Sequence, residues 1–107
     1  MTVSEFQQLI RDIYFEKDNR RGADGTFRWL SEEVGELARG LRKGDRENLS
    51  EEFADVFAWL VSLASIEGIE MEEAIAKYAS GVRSAARNRA GVSSRRARRH
   101  RWAFCSL

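Results

Sequence analysis

Apolar residues recur at helical spacing in four stretches of the chain, with none of the strict alternation of a half-buried strand. Phe6, Leu9, Ile10, Ile13 and Tyr14 form the first stripe. Ser4 followed by Gln7 has capping-box spacing at its start, and this helix is expected to end near Lys17. Asp18 to Gly25 is polar and carries Gly22 and Gly25, so it reads as an exposed connection. Thr26 can cap a second helix with the stripe Phe27, Leu30, Val34, Leu37 and Leu41. Arg42 and Lys43 suit the negative end of its dipole, and Gly44 is the expected terminator. Asp45 can cap a third helix, with Leu49, Phe53, Val56, Phe57, Leu60, Leu63 and Ala64 on its stripe, until Gly68 stops it. Ile69-Glu70-Met71 then leads into a short fourth helix that presents Ala74, Ile75 and Tyr78.

The pattern predicts an all-α fold, an antiparallel helical bundle of three to four helices joined by short loops. With 107 residues, 43% of them hydrophobic, the chain can build one small core, read here as including Phe6, Tyr14, Phe27 and Phe57. So small a core predicts a bundle completed by oligomerisation, as a homo-oligomer, dimer or tetramer. No apolar run has bilayer length, and Met1 to Glu5 lacks the regions of a signal peptide, so a cytoplasmic location without a membrane partner is expected. Cys105 stands alone, which excludes an internal disulfide and a cysteine-based zinc site.

Charge divides the chain more sharply than its net +1 suggests. All 17 acidic residues lie in 1–80 beside ten of the 18 basic ones, a net −7, while 81–107 holds the other eight, all Arg. The expected organisation is a folded domain over 1–80 and an Arg-rich, disordered tail over 81–107.

Within the folded part, Glu33 and Glu36 are three residues apart, as are Glu52 and Asp55. Each pair projects from one side of its helix, at the border between apolar stripe and solvent, and like charges at that spacing cost roughly 0.2–0.5 kcal/mol per pair. Antiparallel packing of the two helices brings all four groups to one place. Hard oxygen ligands on facing helices suit Mg²⁺, and Mn²⁺ as well. The competing explanation is an ordinary solvated helix surface, with Arg28, Arg39, Arg42, Lys43 and Arg46 available as partners. Its weakness is that the arrangement occurs on consecutive helices.

The segment Glu32-Glu33-Val34-Gly35-Glu36, the 15-residue gap and Glu52-Phe53-Ala54-Asp55 together resemble the MazG-like all-α nucleoside triphosphate pyrophosphohydrolases. Arg42-Lys43-Gly44-Asp45, Trp59-Leu60 and Glu73-Ala74-Ile75-Ala76-Lys77-Tyr78 extend the likeness, which covers about residues 4–80. The resemblance implies hydrolysis of an NTP or dNTP to the monophosphate and pyrophosphate, with Glu33, Glu36, Glu52 and Asp55 as Mg²⁺ ligands and Glu32 nearby. His100, the only histidine, lies in the tail, so a carboxylate, Glu32 or Glu33, is the expected base. Trp29 and Trp59 offer stacking surface for a nucleobase, and Arg39, Lys43 and Lys77 offer cations for phosphates, as Arg28 and Arg42 also do. The absence of a phosphate-binding glycine loop argues against the usual α/β nucleotide folds.

Two other readings compete. Phosphoribosyl-ATP pyrophosphohydrolase shares the helical fold and the bond cut. A non-enzymatic helical module would instead bind nucleic acid through its eight tail arginines, although the family does not require such an arm and nucleic acid is not the favoured partner. The tail also invites a shifted reading frame. Codons built from the last base of each codon and the first two of the next permit Cys-Pro-Gln-Cys-Gly-Ala-Gln-Pro-Cys-Arg-Cys across 81–92, a zinc-binding spacing like the endings of some small MazG-like proteins. The gene's nucleotide sequence decides that point.

Overall fold

The structure, a computed structural model, describes residues 1–87, and the side chains of 1–79. The described residues form helices α1 (Val3–Lys43), α2 (Arg46–Ile66) and α3 (Met71–Arg87), without strands. Met1–Ala74 is one compact unit, and the described residues from Ile75 to Arg87 belong to a second. The division falls inside α3, ahead of the change in composition after Ser80. Helix also continues through Arg87, over the first residues expected to be tail. The remaining tail readings lie outside the described residues.

The first helix starts earlier than Ser4. Thr2 is its N-cap, taking the Glu5 amide at 3.0 Å while the Glu5 carboxylate takes the Thr2 amide at 3.1 Å. This is a capping box shifted two residues from the Ser4/Gln7 pair. Gln7 is fully buried instead. Its side-chain amide donates to Ser65 Oγ and to the Ile69 carbonyl, and its oxygen accepts the Met71 amide at 2.8 Å. One glutamine thereby satisfies the α2–α3 turn and ties it to the start of α1.

The expected exposed connection is also absent. Residues 18–25 are helical on both sides of one interruption, Gly22, at φ 78° and ψ 175°, a region open essentially to glycine alone. Asp18 and Thr26 are buried there because Arg21 satisfies them, reaching Asp18 Oδ1 at 2.9 Å and Thr26 Oγ1 at 3.4 Å. Thr26 is thus an interior residue of a kinked helix and not the cap of a new one.

The remaining boundaries match their sequence signals. Gly44 closes α1 at φ 75°, its amide bonded to the Gly40 carbonyl at 2.9 Å, and Asp45 caps α2 through the Asn48 amide. Gly68, at φ 71°, ends α2 with the paired bonds Gly68 N–H to the Ser65 carbonyl and Ile69 N–H to the Ala64 carbonyl.

The core is small: among the described residues, Ile10, Leu30, Leu49 and Val61 are the buried apolar ones. Tyr14, Phe27 and Phe57, expected inside, are exposed, as are Phe53, Leu60, Ile75 and Tyr78. Two principal helices offer too little facing surface to cover every residue on their stripes.

Candidate metal centre and adjoining pocket

Glu33, Glu52 and Asp55 meet across the α1–α2 contact, each offering an oxygen within 4.8 Å of the others. Their placement follows from local sequence. Asp45 fixes the start of α2, which puts Glu52 and Asp55 on one side of it. Gly40 lies against α2, where a Cβ would come into ordinary van der Waals contact with Leu49 Cδ1 at 3.4 Å and Glu52 Cγ at 3.7 Å. Trp29 stacks on Trp59 with ring centroids 5.8 Å apart. The succession Trp29–Trp59, Glu33–Glu52 and Gly40–Leu49 is that of an antiparallel pair.

The electrostatics of the trio are unfavourable as it stands. Burial and then the charges of Asp55, Glu52, Glu36 and Glu32 push the Glu33 carboxyl above its ordinary range. Glu52 Oε2 is buried without a hydrogen-bond partner, a condition that costs about 1–3 kcal/mol, more for a charged group. Among the described residues, the ion pairs are Arg11–Glu70, Arg20–Glu16, Arg21–Asp18 and Arg39–Glu36, so no Lys or Arg neutralises Glu33, Glu52 or Asp55. Three hard oxygen donors around an unmet need for positive charge fit Mg²⁺ or Mn²⁺, which Glu33, Glu52 and Asp55 would hold.

Asp55 also lines a pocket of about 350 Å³. Tyr14 and Trp59 give it aromatic walls, and Lys17, Asp18 and Arg21 give it charge. The Arg21 guanidinium lies 4.9 Å from the Trp59 ring centroid. Acidic centre and pocket share Asp55 and are therefore adjoining parts of one site.

Residues 21–84, more than half of the chain, match the family model of the MazG nucleotide pyrophosphohydrolase domain. The chain belongs to the MazG family. No curated protein matches it.

In this MazG chain the structure brings together Glu33, Glu52 and Asp55 out of the four carboxylates singled out by spacing. Glu36 points instead to Arg39, at 3.4 Å, yet its charge still acts on Glu33. Glu32 is exposed beside the trio. Trp29 and Trp59 are partners in one stack, and Lys43 is exposed in the last turn of α1. Lys77 belongs to the second unit, where its ammonium lies 5.1 Å from the Tyr78 ring centroid. Sequence reasoning missed Asp18 and Arg21 by assigning them to a loop. Their signal was an i,i+3 acid–base pair followed, four residues after Arg21, by Gly25.

Proposed function

We propose that the chain is a Mg²⁺-dependent nucleoside triphosphate pyrophosphohydrolase, with Mn²⁺ able to replace Mg²⁺, acting on an NTP or dNTP as a homo-oligomer. The observation that carries this reading is the unpartnered, buried Glu52 oxygen within a carboxylate trio, in a chain of this family. Glu33, Glu52 and Asp55 would hold the ion, and Glu36, paired with Arg39 at 3.4 Å in this structure, would join them as a fourth acidic ligand on giving up that pair. When bound, the ion neutralises charge developing on the phosphates and acidifies a water.

The other residues divide the work along α1. Arg39 and Lys43 follow Glu36 on the same side of the helix and meet the phosphates that leave as pyrophosphate. Trp29 and Trp59, toward the Gly22 end, meet the nucleoside. Water adds across the α–β anhydride, so the products are the nucleoside monophosphate and pyrophosphate. Glu32, exposed and next to Glu33, takes the water's proton while Glu33 remains a ligand. Lys77 has no comparable support for a substrate role.

A panel of ribo- and deoxyribonucleoside triphosphates, assayed for pyrophosphate with and without Mg²⁺, tests this reading. Release from at least one substrate only with the ion is expected, falling by more than the roughly 10–100-fold typical of outer-shell changes in Glu36→Gln and Asp55→Asn. Metal-independent release, or parent-like turnover by Asp55→Asn, would contradict it.

A further inference from the structure

We propose that Arg21 is a positioning residue: bridging the kink of α1 from Asp18 to Thr26, it fixes the Trp59 indole, and through it the Trp29–Trp59 stack, where the nucleoside is met. The inference rests on the triphosphate reading and adds to it the residue that holds the stack ready.

The bridge exists because α1 is broken at Gly22. Asp18 and Thr26 are eight residues apart in sequence, which is about 12 Å along the axis of an unbroken helix. Here one nitrogen, Nη1 of Arg21, donates to Asp18 Oδ1 at 2.9 Å and to Thr26 Oγ1 at 3.4 Å. Both acceptors belong to buried residues, and among the described residues neither side chain has another hydrogen-bond partner. Moving the guanidinium away would leave a carboxylate and a hydroxyl buried and unmet, a cost that holds a long side chain to one arrangement.

A brace for the kink could end within α1. Arg21 instead reaches α2, where its guanidinium carbon lies 4.9 Å from the Trp59 ring centroid, close enough for a cation to be held by the indole face. The same ring stacks on Trp29, with centroids 5.8 Å apart and planes 11° from parallel. Trp59 follows Asp55 by one turn of α2, and Trp29 precedes Glu33 by one turn of α1, so the stack stands next to the carboxylate trio on both helices. A loose indole would have to be ordered each time a nucleoside bound, whereas one already held by the protein avoids that cost. The nucleoside is met in ground state and transition state alike, so loss of this order belongs in KM and not in kcat.

Gly25 offers a way to move Arg21 without deleting any group. A Cβ there would stand 2.7 Å from Arg21 Cγ and 3.4 Å from its Cδ, near the root of the side chain, so the arginine must shift. Gly25→Ala also introduces a stronger helix former, which favours a folded variant.

The test is a double-mutant cycle of Arg21→Ala and Gly25→Ala, read with the triphosphate that the parent cleaves best. Each single variant should raise KM about threefold to tenfold, the range of a cation–π contact, with kcat within about twofold of the parent. The double variant should match Arg21→Ala alone, because Gly25→Ala acts through the arginine. Near-ultraviolet circular dichroism of the tryptophans should lose intensity in the same non-additive pattern, while titration with Mn²⁺ finds the parent's site in all three variants. A parent-like KM in either single variant, KM increases that multiply in the double, a fall in kcat in place of the rise in KM, or loss of the metal site would overturn the proposal. If the parent cleaves no triphosphate, the proposed function fails, and the dichroism decides the positioning separately. A non-additive loss of signal supports the proposal; a parent-like signal or additive losses overturn it.

Discussion

Glu52 carries the clearest unmet demand among the described residues: one carboxylate oxygen buried with no partner, beside a Glu33 whose proton affinity is raised by burial and four acidic neighbours. An amide at that position removes a charge from the cluster and retains the shape of the side chain. Glu52→Gln should therefore raise the melting temperature of the metal-free protein by a few degrees, a gain of roughly 0.5 kcal/mol on the scale of like-charge pairs. The parent should instead gain about 2.7 kcal/mol when Mg²⁺ is supplied at a hundred times its Kd, and the variant should lose most of that gain. Thermal melts with EDTA and with Mg²⁺ check both halves. At this scale the acidic positions were legible because i,i+3 spacing dictates the face on which they stand. Asp18 and Arg21 were not, because their burial depends on a kink that places polar residues inside.

The kink belongs to the scale of elements. A Cβ added at Gly22 would meet nothing within 4 Å, so backbone conformation, not space, is what requires glycine there. At φ 78° and ψ 175°, Gly22→Ala should cost about 1–3 kcal/mol, read as a lower urea midpoint with an unchanged slope. A parent-like midpoint would mean that α1 can straighten without penalty. Caps and stops at Asp45, Gly44 and Gly68 were readable because each is decided within a few residues. The start of α1 was readable too, since Thr2 and Glu5 have the required spacing, but Gln7 drew attention to Ser4. What Gln7 does, bonding Ser65, Ile69 and Met71, is a long-range contact that no local pattern announces.

At the scale of the whole molecule, apolar stripes predicted helical segments, though not the joining of the first two into one kinked helix, and predicted their burial poorly. Periodicity shows which residues share a side of a helix, whereas the number of helices packed against that side decides whether water reaches it. Phe27, 58% exposed, and Phe53, 55% exposed, lie on stripes that a single chain leaves uncovered. They support the proposed homo-oligomer, and sedimentation equilibrium at micromolar concentration should give a dimer or tetramer; a monomer there would refute that part of the account. Among the described residues, no helix is long and apolar enough to cross a membrane. The central claim is that three carboxylates from α1 and α2 gather around one divalent ion, and isothermal titration of the full chain with Mn²⁺ tests it most directly. One site per chain is predicted, competed by Mg²⁺ and lost in Asp55→Asn and Glu52→Gln; no site in the parent, or parent-like binding in both variants, would contradict it.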